Sequence, residues 1–163
     1  MARRVFYSFH YKADNWRASK IRNIGAIEGN KPATDNDWET VTGRGDAAIE
    51  KWIKDQMDGR SCAVVLIGQN TAGRKWIDYE IVESWKKGMG LFGIHIHNIT
   101  NSSGEQSSKG ANPFASFNID GTSLSSIVKT YDPPFTTSSY VYNHIADNIA
   151  DWIDAAIEIR KKY

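Results

Sequence analysis

Apolar residues gather in four short blocks: Val5 to Phe9, Ala63 to Ile67, Leu91 to Ile96 and, more weakly, Ile127 to Tyr131. A strand with one wet face alternates apolar and polar positions. A strand covered on both faces reads as a continuous run, as Cys62-Ala63-Val64-Val65-Leu66-Ile67 does. Between these blocks the apolar spacing changes to that of a helix. Ile49, Trp52, Ile53 and Met57 share one helical face, with Asp46 placed to cap its start and Gly59 to end it. A second helical pattern runs from about Thr71 to Lys87, with Ile77, Ile81 and Trp85 at i, i+4 spacing and Gly88 as its stop. A third begins near Ser138 and turns Tyr142, Ile145, Ile149, Trp152, Ile153 and Ile157 toward a core. A less periodic helix is expected from Asp14 to Ile24, and a further strand between Gly25 and Val41, near Ala26-Ile27.

Strands alternating with helices imply crossover connections, hence an α/β fold with a mainly parallel sheet and helices on both faces. Ligands in such sheets bind outside the carboxyl ends of the strands, at a topological switch point. That rule selects three places: Ser8 to Asp14, Gly68 to Trp76, and the segment after Ile96. The polar stretch from Asn98 to Phe117 is longer than a simple connection, so it is expected to be either functional or mobile. A chain of 163 residues is expected to form a single domain, residues 1–163.

Composition narrows the partners. With a net charge of +1 and Lys and Arg scattered among nearly equal acids, no basic face for nucleic acid is expected. The local basic clusters, Arg3-Arg4 and Arg160-Lys161-Lys162, sit at the two ends and read as solubilising. The single cysteine, Cys62, has no internal partner and suits a reducing compartment. No apolar leader and no stretch of transmembrane length is evident, so a cytoplasmic location and no membrane partner are expected.

Several motifs fail on context. Gly88-Met89-Gly90-Leu91-Phe92-Gly93 matches the dinucleotide fingerprint, but it ends a helix and enters a strand, the reverse of what the fingerprint requires. A flavodoxin-type phosphate loop and a receiver-type aspartate are both missing from their places, where Ser8-Phe9-His10-Tyr11 and Gly68-Gln69-Asn70 stand. His95 and His97 lie on one side of a strand, yet no third metal ligand has suitable spacing, and hydrogen-bonded structure is the expectation. Cys62 is mid-strand, a buried thiol rather than a nucleophile. Glu80 falls at the edge of the apolar arc formed by Ile77, Ile81, Val82 and Trp85, one turn after Trp76. Two readings stay open there: a carboxylate half-shielded by aromatics and poised for a cation, or a solvated side chain pairing with Ser84 or Lys87.

Five blocks in order carry a resemblance. They are Arg4-Val5-Phe6-Tyr7-Ser8-Phe9-His10-Tyr11, Val65-Leu66-Ile67-Gly68, Lys75-Trp76-Ile77-Asp78-Tyr79-Glu80-Ile81, Gly93-Ile94-His95-Ile96 and Ser108-Lys109-Gly110-Ala111-Asn112-Pro113-Phe114. Together they resemble the TIR-like proteins of bacterial Thoeris anti-phage defence, over residues 2 to about 117. The resemblance implies a flavodoxin-like, TIR-like three-layer sandwich that takes NAD⁺ as substrate, with no further cofactor and no metal. It also implies a cyclic ADP-ribose-type product that activates a separate effector protein, and self-association through TIR surfaces. It maps the catalytic glutamate onto Glu80, the loop beside the nucleotide onto Ser8, Phe9, His10 and Tyr11, and a mobile loop that completes the site onto Trp38.

The implied chemistry suits these residues. Breaking the nicotinamide–ribose bond develops positive charge on the ribose, which a neighbouring carboxylate stabilises. Phe9, Trp38 and Trp76 are candidates to stack on the bases and exclude water, which favours internal attack over hydrolysis. The competing expectation is a non-enzymatic TIR-like interaction module, since six Trp and seven Tyr suit an adhesive surface as well as a nucleotide pocket.

Overall fold

A computed structural model describes residues 3–24, 27–28 and 43–163. The elements are β1 (Arg3–Ser8), α1 (Tyr11–Arg22), β2 (Ile27–Glu28), α2 (Asp46–Met57), β3 (Cys62–Ile67), α3 (Lys75–Lys86) and β4 (Gly90–His95). They are followed by β5 (Asn118–Ile119), β6 (Thr122–Ser123), α4 (Leu124–Ile127), β7 (Thr130–Tyr131) and α5 (Ser138–Lys161). Five strands form one parallel sheet in the order β2-β1-β3-β4-β7, and β5 and β6 make a small antiparallel hairpin. This is the expected mainly parallel α/β architecture. The register runs Val5↔Cys62 between β1 and β3, and Cys62↔Gly90 to Ile67↔His95 between β3 and β4.

Alternate side chains of each strand point to opposite faces. Val5, Tyr7, Val64, Leu66, Phe92 and Ile94 meet α1 and α5, whose inward residues include Ala18, Ile21, Ile145, Ile149 and Ile153. Phe6, Ala63, Val65, Ile67 and Leu91 form the other core, with Ile49, Ile53 and Met57 of α2 and Ile77 and Ile81 of α3. Every residue of β3 and of β4 is buried, which is why those blocks carry no polar alternation.

Several boundaries differ from expectation. The first strand ends at Ser8 rather than Phe9, and α1 begins at Tyr11 rather than Asp14. The helix expected from Thr71 begins at Lys75, because Gly73 takes a φ of +82° and the Thr71 hydroxyl accepts the Gly68 N–H at 2.8 Å. Gly45, not Asp46, is the N-cap of α2; Asp46 lies in the first turn and pairs with Lys75. The weak block Ile127 to Tyr131 divides, with Ile127 closing α4 and only Thr130 and Tyr131 pairing with β4. The second strand falls at Ile27–Glu28, one residue from its expected place.

The polar 98–117 segment is tied down by hydrogen bonds. Asn101 Oδ1 accepts the N–H groups of Ser103 and Glu105, both at 2.9 Å. Arg17 donates to the carbonyls of Ile99 (2.6 Å) and Glu105 (2.9 Å) while pairing with Asp14 at 3.0 Å. Asp14 packs so closely on Gly68 that a Cβ there would lie 2.0 Å from its Oδ2. Gly110 rests on the same strand end, where a Cβ would lie 2.1 Å from the Gly68 carbonyl oxygen. Among the described residues no helix is long and apolar enough to cross a membrane.

Because the obstacle at Gly110 is backbone, Gly110→Ala is expected to cost about 1–3 kcal/mol. Denaturant titration checks this, and an unchanged midpoint would show that the 108–112 segment does not depend on that contact.

Candidate active site

Strand β1 ends in Ser8, 1% exposed, whose hydroxyl donates to Glu80 Oε1 at 3.1 Å. Glu80 comes from α3. Its inward residues are Ile77, Glu80, Ile81 and Ser84, and Glu80 stands at the edge of that buried face, as the helical wheel places it. The alternative pairing with Ser84 does not form, since that hydroxyl donates to the Ile81 carbonyl at 3.0 Å. At 9% exposure, Glu80 has lost most of its solvation. Burial pushes its pKa from the ordinary 4.5 to about 8, against the Ser8 hydrogen bond, which lowers it.

Glu80 forms part of the wall of a cleft of about 410 Å³, within the usual range for small-molecule sites. One wall is the β1–α1 junction, Phe9, His10, Tyr11 and Lys12; the other is the start of α3, from Gly73 to Ile77. Phe9 and Tyr11 have ring centroids 5.9 Å apart, and Trp76 meets Tyr79 edge-on at 5.7 Å. The structure therefore brings Phe9, His10, Tyr11, Trp76 and Glu80 together around one opening. Ser8 stands behind Glu80 and does not line the cleft. Trp38 lies outside the described residues.

Sequence reasoning missed the cations. Lys12, Arg74 and Lys75 line the cleft, with the Lys75 ammonium 4.9 Å from the Trp76 ring centroid. The first turns of α1 and α3 both line it too, and neither N-cap residue, His10 or Arg74, makes a side-chain capping bond. The positive ends of the two helix dipoles add to the positive character of the opening, which suits an anionic ligand group. His10 has its pKa lowered, mainly by burial and then by Arg74, so its ring is neutral near pH 7. Its Nδ1 is buried without a partner among the described residues. The signal for these cations was position, not clustering: each stands in or beside the first helical turn after a strand.

Other candidates stand apart. Cys62 is a free buried thiol in β3, and burial raises its pKa, so it is no thiolate nucleophile. His95 and His97 are buried with ring centroids 5.8 Å apart, and the expected hydrogen bonds are missing at their Nδ1 atoms. Among the described residues no three His, Cys, Asp or Glu side chains are grouped to hold a metal.

A carboxyl whose folded pKa exceeds its unfolded one keeps its proton longer in the native state. Stability from Glu80 is therefore present below about pH 4.5 and falls as pH rises toward 8. Glu80→Gln removes that penalty. Its melting temperature relative to wild type should climb between pH 5 and pH 9, as read by thermal denaturation; a pH-independent difference would contradict the buried carboxyl.

Comparison with known proteins places this geometry in a family. Residues 6–101, more than half of the chain, match the model of the TIR-like domain of Thoeris protein ThsB. The chain is 37% identical over 119 residues to a Bacillus cereus (strain MSX-D12) protein named "Putative cyclic ADP-D-ribose synthase ThsB1". That match covers 70% of this chain, and the chain spans 62% of the relative's length. The parallel sheet, the carboxyl-end cleft and the sequence match together make this chain a member of the Thoeris ThsB TIR-like family.

Proposed function

We propose that this protein cleaves the nicotinamide–ribose bond of NAD⁺ and closes the ADP-ribose into a cyclic signal that activates a separate anti-phage effector. The observation that carries the reading is Glu80: a buried carboxyl, held by one hydroxyl, beside a cation-lined cleft. The name of the Bacillus cereus relative, a cyclic ADP-D-ribose synthase, supports the same chemistry.

In this reading the nicotinamidium brings a positive charge beside Glu80, and that charge favours the ionised carboxylate against the cost of burial. As the C1′–nitrogen bond breaks, nicotinamide departs neutral with the bonding pair and positive charge moves onto the ribose. Glu80 stabilises that charge in a site of low dielectric. A nucleophile within the ADP-ribose then bonds to C1′ and releases its proton, which closes the ring. Phe9 and Trp76 shield the opening from water and limit hydrolysis. Lys12, Arg74 and the two helix starts hold the diphosphate, which orients the ribose toward Glu80. Trp38 is assigned to the same site by the family resemblance. The protein acts in the cytoplasm and self-associates through TIR surfaces. A non-enzymatic interaction module remains the second reading, favoured by the exposed rings of Trp16, Phe135 and Tyr140.

Mass spectrometry of NAD⁺ incubated with the protein, in buffer and in extracts of phage-infected cells, separates the two. Turnover to a cyclic ADP-ribose isomer is expected to fall by at least about 100-fold in Glu80→Gln. An equally active variant removes Glu80 from the chemistry, and absence of turnover in every extract favours the module. Arg74→Ala should raise KM several-fold with kcat little changed, because phosphate binding is common to the ground and transition states; steady-state kinetics that show the reverse would give Arg74 another role.

A further inference from the structure

One corner of the molecule has no part in the cleft. Phe135 stands 41% exposed in the connection between β7 and α5, and Tyr140 stands 58% exposed in the first turn of α5. Phe135 meets Tyr140 at a centroid distance of 6.0 Å and His144 at 5.8 Å, nearly perpendicular to the first and steeply tilted to the second. His144 in turn leans on Trp152, which stacks at 4.2 Å on Tyr131 of the edge strand. Phe135, Tyr140, Asn143, His144 and Asp147 line a hollow of about 330 Å³.

The exposure is held in place. Two prolines precede Phe135, and its carbonyl accepts from Asn98 Nδ2 at 3.2 Å. The next carbonyl, of Thr136, accepts from Gln106 Nε2 at 2.6 Å. A large apolar ring on a loop free to move would turn inward. This one is braced on both sides in an outward position. On α5, Tyr140, His144, Asp147 and Asp151 follow one another at i, i+4, i+7 and i+11, along one stripe of the helix. Asp147 and Asp151 are exposed, and neither has an ion-pair partner among the described residues.

Ring faces carry negative quadrupole charge and attract cations, and a free carboxylate at the rim adds to that attraction. An apolar or acidic partner gains nothing from the Asp147 side of the hollow. We propose that this corner docks a partner protein through a lysine or arginine side chain, seated among Phe135, Tyr140 and His144 and paired with Asp147. The flanking Asp151 favours a second basic residue about one helical turn along the partner segment.

The test is a titration of isotope-labelled protein, at 150 mM salt, with an eight-residue peptide alternating Arg and Gly and with its Glu-Gly counterpart. The expected result is a saturable shift of the backbone resonances of residues 135–151 with the Arg peptide and none with the Glu peptide. Phe135→Ala and Asp147→Lys, both surface changes, should each weaken binding at least tenfold, and Glu80→Gln should leave it unchanged. Shifts that do not saturate, or that survive Phe135→Ala, overturn the proposal. So does a change of oligomeric state in Phe135→Ala with the peptide response intact, which would assign the corner to a second copy of the chain.

Discussion

The carboxyl end of β3 is a junction at which a missing side chain sets the position of four segments. With no Cβ on Gly68, the Asp14 carboxylate sits against its backbone, and there it pairs with Arg17. Arg17 then holds the carbonyls of Ile99 and Glu105, so α1 and the loop after β4 are fixed to one another. The Gly68 N–H anchors Thr71 ahead of α3, and the Gly68 carbonyl receives Gly110. Both walls of the cleft begin at these anchored points. A buried ion pair contributes little net stability, but losing one partner is costly, so this one acts mainly on position.

Against that rigid frame, Glu80 is a place where stability has been given up. A glutamine would satisfy the Ser8 hydroxyl with no charge to desolvate. The glutamate stays, with its remaining lone pairs turned to a cleft whose other charged groups are cations. Such a carboxyl is costly to ionise by itself, and a neighbouring cation would offset that cost. Local cost at one position, amid consistent packing elsewhere, is the usual mark of a functional residue.

Elements buried on both faces were the legible ones. The β3 and β4 blocks and the inward stripe of α5 were evident because burial on both faces makes them mostly apolar, with His95 the polar residue that closes β4. Boundaries were less legible where a single tertiary contact decides them, as Thr71 does at the start of α3. Glu80 was a candidate on the helical wheel, and the resemblance gave it weight. Its hydrogen-bond partner, Ser8, is 72 residues away, which no local pattern records. Lys12, Arg74 and Lys75 went unseen because a charge scan looks for runs, and here a fold gathers scattered residues at two helix starts.

The parallel register has a consequence for how the chain is made. Val5 pairs with Cys62, 57 positions later, while the described residues of β2, Ile27 and Glu28, pair with Arg3 and Arg4. At ribosomal rates of about 5–20 residues per second, the nascent β1 waits roughly 3–11 s for its main partner to emerge. For that interval Val5, Phe6 and Tyr7 are apolar side chains without their β3 partners. Arg3 and Arg4, placed just before them, put like charges on every copy at the point where two nascent chains would otherwise pair.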